Sequence, residues 1–168
     1  MVTCDNHYED EGAAQLFRVG DMVCYPMHGV GAIDGIEEQQ VLGETARYYM
    51  LRFLDGRITA MVPVNSADTV GLRLIIDAEE CANVKRYLAD NPCPESENWN
   101  QRYRENMDKL RAGDIYGVAD VVKCLVHRDR ERGLSAGERK MLALAKGVLL
   151  AELSAASGEA EEALEELL

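Results

Sequence analysis

No window of eighteen uninterrupted apolar residues occurs in the sequence, so no segment reads as a membrane-spanning helix. The opening residues, MVTCDNHYEDEG, are acidic where a secretory signal would be basic and then apolar. A soluble, cytoplasmic chain with no membrane partner is expected. Cysteine is scarce and scattered: Cys4, Cys24, Cys81, Cys93 and Cys124 are odd in number and form no CxxC pair, which argues against a disulfide framework or a zinc site and leaves reduced thiols. A Gly-rich phosphate loop, HExxH and GxSxG are all missing, so neither an enzyme nor a cofactor, metal or small-molecule site is expected. Basic residues are few as well. Eighteen Lys and Arg stand against 30 Asp and Glu, for a formal net charge of −12. Long-range repulsion at that charge opposes indiscriminate binding to nucleic acid, so any contact with phosphates has to be local.

What is present is distributed unevenly. Between Asn98 and Lys146 there are 11 Lys and Arg against 7 Asp and Glu, a net of +4, whereas the rest of the chain carries −16. A basic island in an acidic chain suggests a local anionic partner; solvated helices of mixed charge are the plainer alternative. The same stretch holds the only tryptophan, Trp99. With 168 residues, 47% of them apolar, the chain can bury a core in one domain or two small ones, and the change of pattern along it favours two.

Residues 1–16 hold four acids, no Lys or Arg and little periodicity, the composition of a frayed extension. From residue 17 to 70 short β-type runs (MVCYP, VGAIDGIE, ARYYMLRFL, RITAMVPV) are punctuated by HG, LGE and DG, which predicts four or five strands in a small antiparallel barrel. Asp55-Gly56 and Leu42-Gly43 mark hairpins, and Pro26 and Pro63 should each stop a strand. His28 reads as a turn or core histidine. After Gly71 the period becomes helical. Asp77 with Glu80 caps a first helix, which Asn91, Pro92 and Pro94 end. Asn98 opens a second, with Trp99, Tyr103, Met107 and Leu110 on one face; Asp114 opens a third; Ser135 with Glu138 forms a capping box for a fourth. Short connections imply a compact helical bundle over residues 71–153. The glutamate-rich residues 154–168 are expected to be an acidic tail, a solvated helix or a disordered end rather than an acidic binding site.

The strings FRVGDMVCYPMHGVGAI, MVPVNSADTVGLR, NWNQRYRENMDKLRAGD and VADVVKCLVHRDRERGLSAGERKMLALAKGVLLAEL together resemble the CarD/CdnL family of bacterial transcription regulators. The N-terminal half is also similar to the polymerase-interacting module of transcription-repair coupling factor. The resemblance covers residues 17–153. It implies an α+β chain: a small Tudor- or SH3-like antiparallel β-barrel that binds the RNA polymerase β subunit, then an all-α domain that meets promoter DNA at the upstream edge of the melted bubble, so that the protein would be nucleoid-associated through polymerase. In that family the tryptophan of the NW string is a wedge against the opened base pair, here Trp99. Backbone contacts would come from Arg102, Arg104, Arg128, Arg130, Arg132, Arg139, Lys140 and Lys146, without a base code. The polymerase-facing surface would lie near Gln39, Arg47, Arg52, Arg57 and Met61, as edge-strand pairing aided by side chains. Gln39 and Met61 depart from the basic residues common at those places in the family. An adaptor that holds polymerase without touching DNA is the alternative.

Overall fold

The computed structural model describes residues 16–54, 56, 59–90 and 94–168. Five strands come first: β1 (Met22–Tyr25), β2 (Gly29–Val41), β3 (Glu44–Phe53), β4 (Thr59–Pro63) and β5 (Arg73–Leu74). They pair antiparallel in the order β4-β3-β2-β1-β5. The expected barrel is not formed: β4 and β5 are the two ends of the order and do not pair with each other among the described residues. β5, only two residues long, lies past residue 70 and adds to β1 where a closing strand would have had to meet β4. Pro26 does end β1, and β4 gives way at Pro63 to the short 3-10 turn Val64–Ser66. Asp55 and Arg57 lie outside the described residues; Gly56 between them has φ 68°.

One face of the sheet is apolar because β2 breaks its own alternation. Ile33 and Ile36 are three residues apart, a spacing that would put them on opposite faces of a regular strand. The register shifts between Ile33 and Gly35, and the resulting bulge lets both join the core of Phe17, Val23, Tyr49, Leu51, Val62 and Leu72. Tyr49 is fully buried at its centre. Its hydroxyl accepts from the backbone N–H of Leu16 (3.0 Å) and Phe17 (3.2 Å), satisfying a polar group that burial would otherwise penalise.

The helical half comprises α1 (Ala78–Ala89), α2 (Trp99–Ala112), α3 (Ile115–Arg132), α4 (Ala136–Ser157) and α5 (Glu161–Glu165). Asp77, Asn98 and Asp114 each accept a backbone N–H from the first turn of the helix they open, and Ser135 with Glu138 closes the capping box. The core joins Val84, Leu110, Val118, Val122, Leu125, Met141, Ala145, Leu149 and Leu153. Over residues 154–168, where a solvated helix or disordered end is expected, the glutamates are solvated on a short helix, but the segment is also docked. α4 runs on to Ser157, Gly158 turns the chain in left-handed geometry, and α5 returns to bury Leu164 at 1% exposure. Residues 1–15 and the expected helix-ending Asn91 and Pro92 lie outside the described residues.

The two halves are bolted together through a buried ion pair. Arg73 on β5 donates to both carboxylate oxygens of Glu152 on α4 (2.5 and 2.9 Å) and to the carbonyl of Gly113 (2.9 Å); the Ile76 N–H also donates to Glu152 (3.1 Å). Glu152 is fully buried. Gly113 ends α2 at φ 73°, and a Cβ there would sit 2.5 Å from Pro26, so a side chain would push the β1 turn off the helices. Burial and the nearby Glu152 carboxylate push the Cys24 thiol up to about 12, which leaves it unreactive at neutral pH.

Candidate functional site

Trp99 is the first residue of α2, behind the Asn98 cap whose side chain accepts from Gln101 N–H at 3.1 Å. The indole is 44% exposed. One face stacks on Tyr103, one turn on, with centroids 5.2 Å apart and planes 24° from parallel. The indole N–H donates to the Ser135 hydroxyl (3.3 Å) at the start of α4. A Cβ at Gly137 would come within 3.9 Å of the indole and 3.5 Å of Tyr103, so the small residue leaves room for both rings. Trp99 is therefore a braced platform between two helix N-termini, whose positive dipole ends favour anions.

Arg102 does not lie on that surface. It was expected to reach phosphates, but only 2% of it is exposed. Its guanidinium donates to Glu138 from Nε (3.2 Å) and Nη2 (2.9 Å), and to the Ser96 carbonyl from Nη1 (2.9 Å). The physical reason is the inward stripe of α2, which runs through Arg102, Asn106 and Leu110 and leaves Trp99 to one side. Glu138 in turn accepts from the N–H and hydroxyl of Ser135. Burial alone would raise the Glu138 carboxyl, but these bonds from Ser135 and Arg102 prevail and hold it below its usual range. The pair thus ties α2 to the α4 capping box and fixes the indole through Ser135. Sequence reasoning found the capping box but not its second use.

Of the other cations, Arg104, Arg139 and Lys140 are exposed and make no ion pair among the described residues. Arg139 and Lys140 stand at the end of the first turn of α4, the helix whose start holds Ser135, and Arg104 lines a shallow depression with Asn98, Asn100, Gln101 and Glu105. Arg128 is half-buried, 3.8 Å from Glu138. Exposed Arg132 lies 3.7 Å from Glu97, and Arg130 donates to the Leu168 carbonyl (2.8 Å). Lys146 pairs with Glu165 at 3.5 Å, and eleven residues of helix put it about 16 Å along α4 from Ser135. It is not brought together with the indole.

On the sheet, Met61 is 46% exposed on edge strand β4, whose outer side pairs with no other strand among the described residues. Arg52 makes a bidentate exposed pair with the bulged Asp34 (2.7 and 3.0 Å), which holds the Asp34 carboxyl below its usual value. Gln39 donates to Glu37 (3.3 Å), and Arg47 is half-buried opposite Glu38. Arg57 lies outside the described residues. No group of three or more His, Cys, Asp and Glu suited to a metal occurs among the described residues, and no helix there is long and apolar enough to cross a membrane.

Comparison with known proteins divides the chain at the same place. Residues 17–76 match the CarD-like/TRCF RID domain, and residues 83–168 match the CarD C-terminal domain. A Bacillus subtilis (strain 168) protein described as "Putative transcription factor YdeB" is 33% identical over 147 residues, 88% of this chain and 96% of that protein.

Proposed function

The chain belongs to the CarD family, and on that premise we propose that it is a transcription regulator that binds RNA polymerase and stabilises the open promoter complex. The sheet half holds the polymerase β subunit, using the outer edge of β4 for backbone pairing, with Met61 and the neighbouring arginines beside it. The helical half meets DNA at the upstream fork of the bubble. The observation that carries this reading is Trp99: exposed, braced by Tyr103, Ser135 and Gly137, and flanked by two helix N-termini. An indole held that way can stack on an unpaired base, which contributes about 1 to 3 kcal/mol. Because such stacking exists only in the melted state, it shifts the closed-to-open equilibrium by its own magnitude, and about 1.4 kcal/mol changes the ratio roughly tenfold. Arg104, Arg139 and Lys140 add phosphate contacts that carry no sequence information. The cytoplasm, with nucleoid association through polymerase, is the location this reading implies.

An adaptor that holds polymerase and never touches DNA draws support from the internal partners of Arg102, Arg130, Arg132 and Lys146, which leave few free cations. The two readings part on salt. We expect the protein's contribution to a polymerase complex on upstream-fork DNA to weaken with salt, with a log–log slope of roughly −0.9 per phosphate contacted and a shallow total of about three contacts. A contribution unchanged when the upstream duplex is removed favours the adaptor.

A further inference from the structure

Only two described residues other than glycine hold a positive φ, Met27 (66°) and Leu42 (53°). The left-handed backbone crowds Cβ against the following carbonyl oxygen, so such a residue needs a compensating interaction. Met27 has one: its side chain packs on the helical core. Leu42 has none among the described residues, because its side chain is fully exposed and the adjacent Val41 is 47% exposed. Leu42 and Gly43 (φ 85°) form the two-residue turn between β2 and β3, where positive φ at both positions calls for Asn-Gly or Gly-Gly. Leucine is thus an unfavourable residue for the turn and gains no packing from the described residues.

The turn also stands clear of the sheet. β4 pairs with β3 only from Tyr48 to Arg52, and β1 meets β2 only from Gly29 to Ala32. Beyond Tyr48, β2 and β3 pair with each other alone, as a two-stranded arm whose exposed side chains include Glu37, Glu38 and Glu44. Arg47, half-buried opposite Glu38, is the arm's one cation, so the tip is an apolar point on a net acidic arm.

We propose that Leu42, with Val41 beside it, is an anchor that enters an apolar pocket with a basic rim on the protein partner of the sheet half. The inference rests on the reading that this half binds RNA polymerase, and it names a contact apart from the β4 edge. A second copy of the chain is a poor occupant: the same three glutamates would face one another on molecules of net charge −12. Leu42→Asn separates the anchor from the turn, because asparagine accepts the left-handed backbone while removing the apolar group.

Affinity for core RNA polymerase, melting temperature and oligomeric state are measured for the full chain, Leu42→Asn and Leu42→Met. We expect Leu42→Asn to melt at the same or a higher temperature and to bind polymerase roughly tenfold or more weakly, with Leu42→Met close to the parent. Parent-like binding by Leu42→Asn overturns the anchor and leaves polymerase binding standing. A marked fall in melting temperature assigns Leu42 to the fold, and self-association lost in Leu42→Asn assigns the tip to a second copy; either overturns the proposal. If the parent chain itself does not bind polymerase, the underlying reading falls and the anchor with it.

Discussion

Two side chains three residues apart on α2 divide the labour of the candidate DNA site: Trp99 faces outward and Arg102 holds it in place. The indole is half-exposed, so Trp99→Ala should cost about 1 kcal/mol of stability, chiefly the stacking on Tyr103, and remain folded in urea titrations. Arg102→Met should behave differently. Removing the guanidinium leaves a buried Glu138 with its Ser135 bonds but without its nearest cation, and we expect a loss of about 3 kcal/mol in the same titration, eased where Arg128 moves in from 3.8 Å. The depressed Glu138 carboxyl gives this bond a pH signature. A group whose folded pKa lies below its unfolded value contributes stability that is complete above the ordinary carboxylate range and lost as pH falls through the folded value. Helical-half stability should therefore fall in acid below that range, and Glu138→Gln should flatten this limb of the curve while lowering stability at neutral pH. An identical acid limb in Glu138→Gln would remove Glu138 from this role.

At the scale of elements, α5 carries the clearest stability prediction. Leu164 is its only buried residue, at 1% exposure, and docks on the core of the other helices. Leu164→Ala should cost about 2–5 kcal/mol and release α5, seen as lost amide protection over residues 159–168. Unchanged protection would mean that the leucine does not hold the segment. The sequence carried the starts of α1 to α4 plainly, because Asp77, Asn98, Asp114 and Ser135 are capping residues placed before periodic apolar runs. It left the docking of α5 open because Leu164, Leu167 and Leu168 make too short a run among glutamates to tell a docked helix from a solvated one, and the burial of Leu164 is decided by a surface that exists only after α4 has folded. The bulge at Asp34 was equally hidden: alternation predicts a regular strand, and only the core on both sides of the bulge reveals that Ile33 and Ile36 share a face. The open sheet in place of a barrel has a similar origin, since strand count is local information and closure is not. Within the site, the position of Trp99 on α2 was legible, but its exposure and the inward turn of Arg102 were not, because an aromatic at i, i+4 from Tyr103 reads as core and arginine reads as surface.

Across the whole molecule, Arg73 and Glu152 join the sheet half to the helical half by a bidentate pair. Arg73→Met should cost about 3 kcal/mol, near the low end for a broken buried pair because the Arg73 side chain keeps 29% exposure. Replacing both residues, Arg73→Met with Glu152→Met, should recover much of that loss in thermal melts, since no buried charge is then left unpaired. Recovery of stability without recovery of open-complex function would point to orientation as what the pair supplies. The central claim, that the chain holds the melted promoter through its tryptophan, is tested most directly by the lifetime of an open promoter complex formed by bacterial RNA polymerase alone, with this protein, and with folded Trp99→Ala. We predict a lengthened lifetime with the parent chain that is largely lost with Trp99→Ala. Equal lifetimes in all three, with both proteins bound to polymerase, would contradict the account.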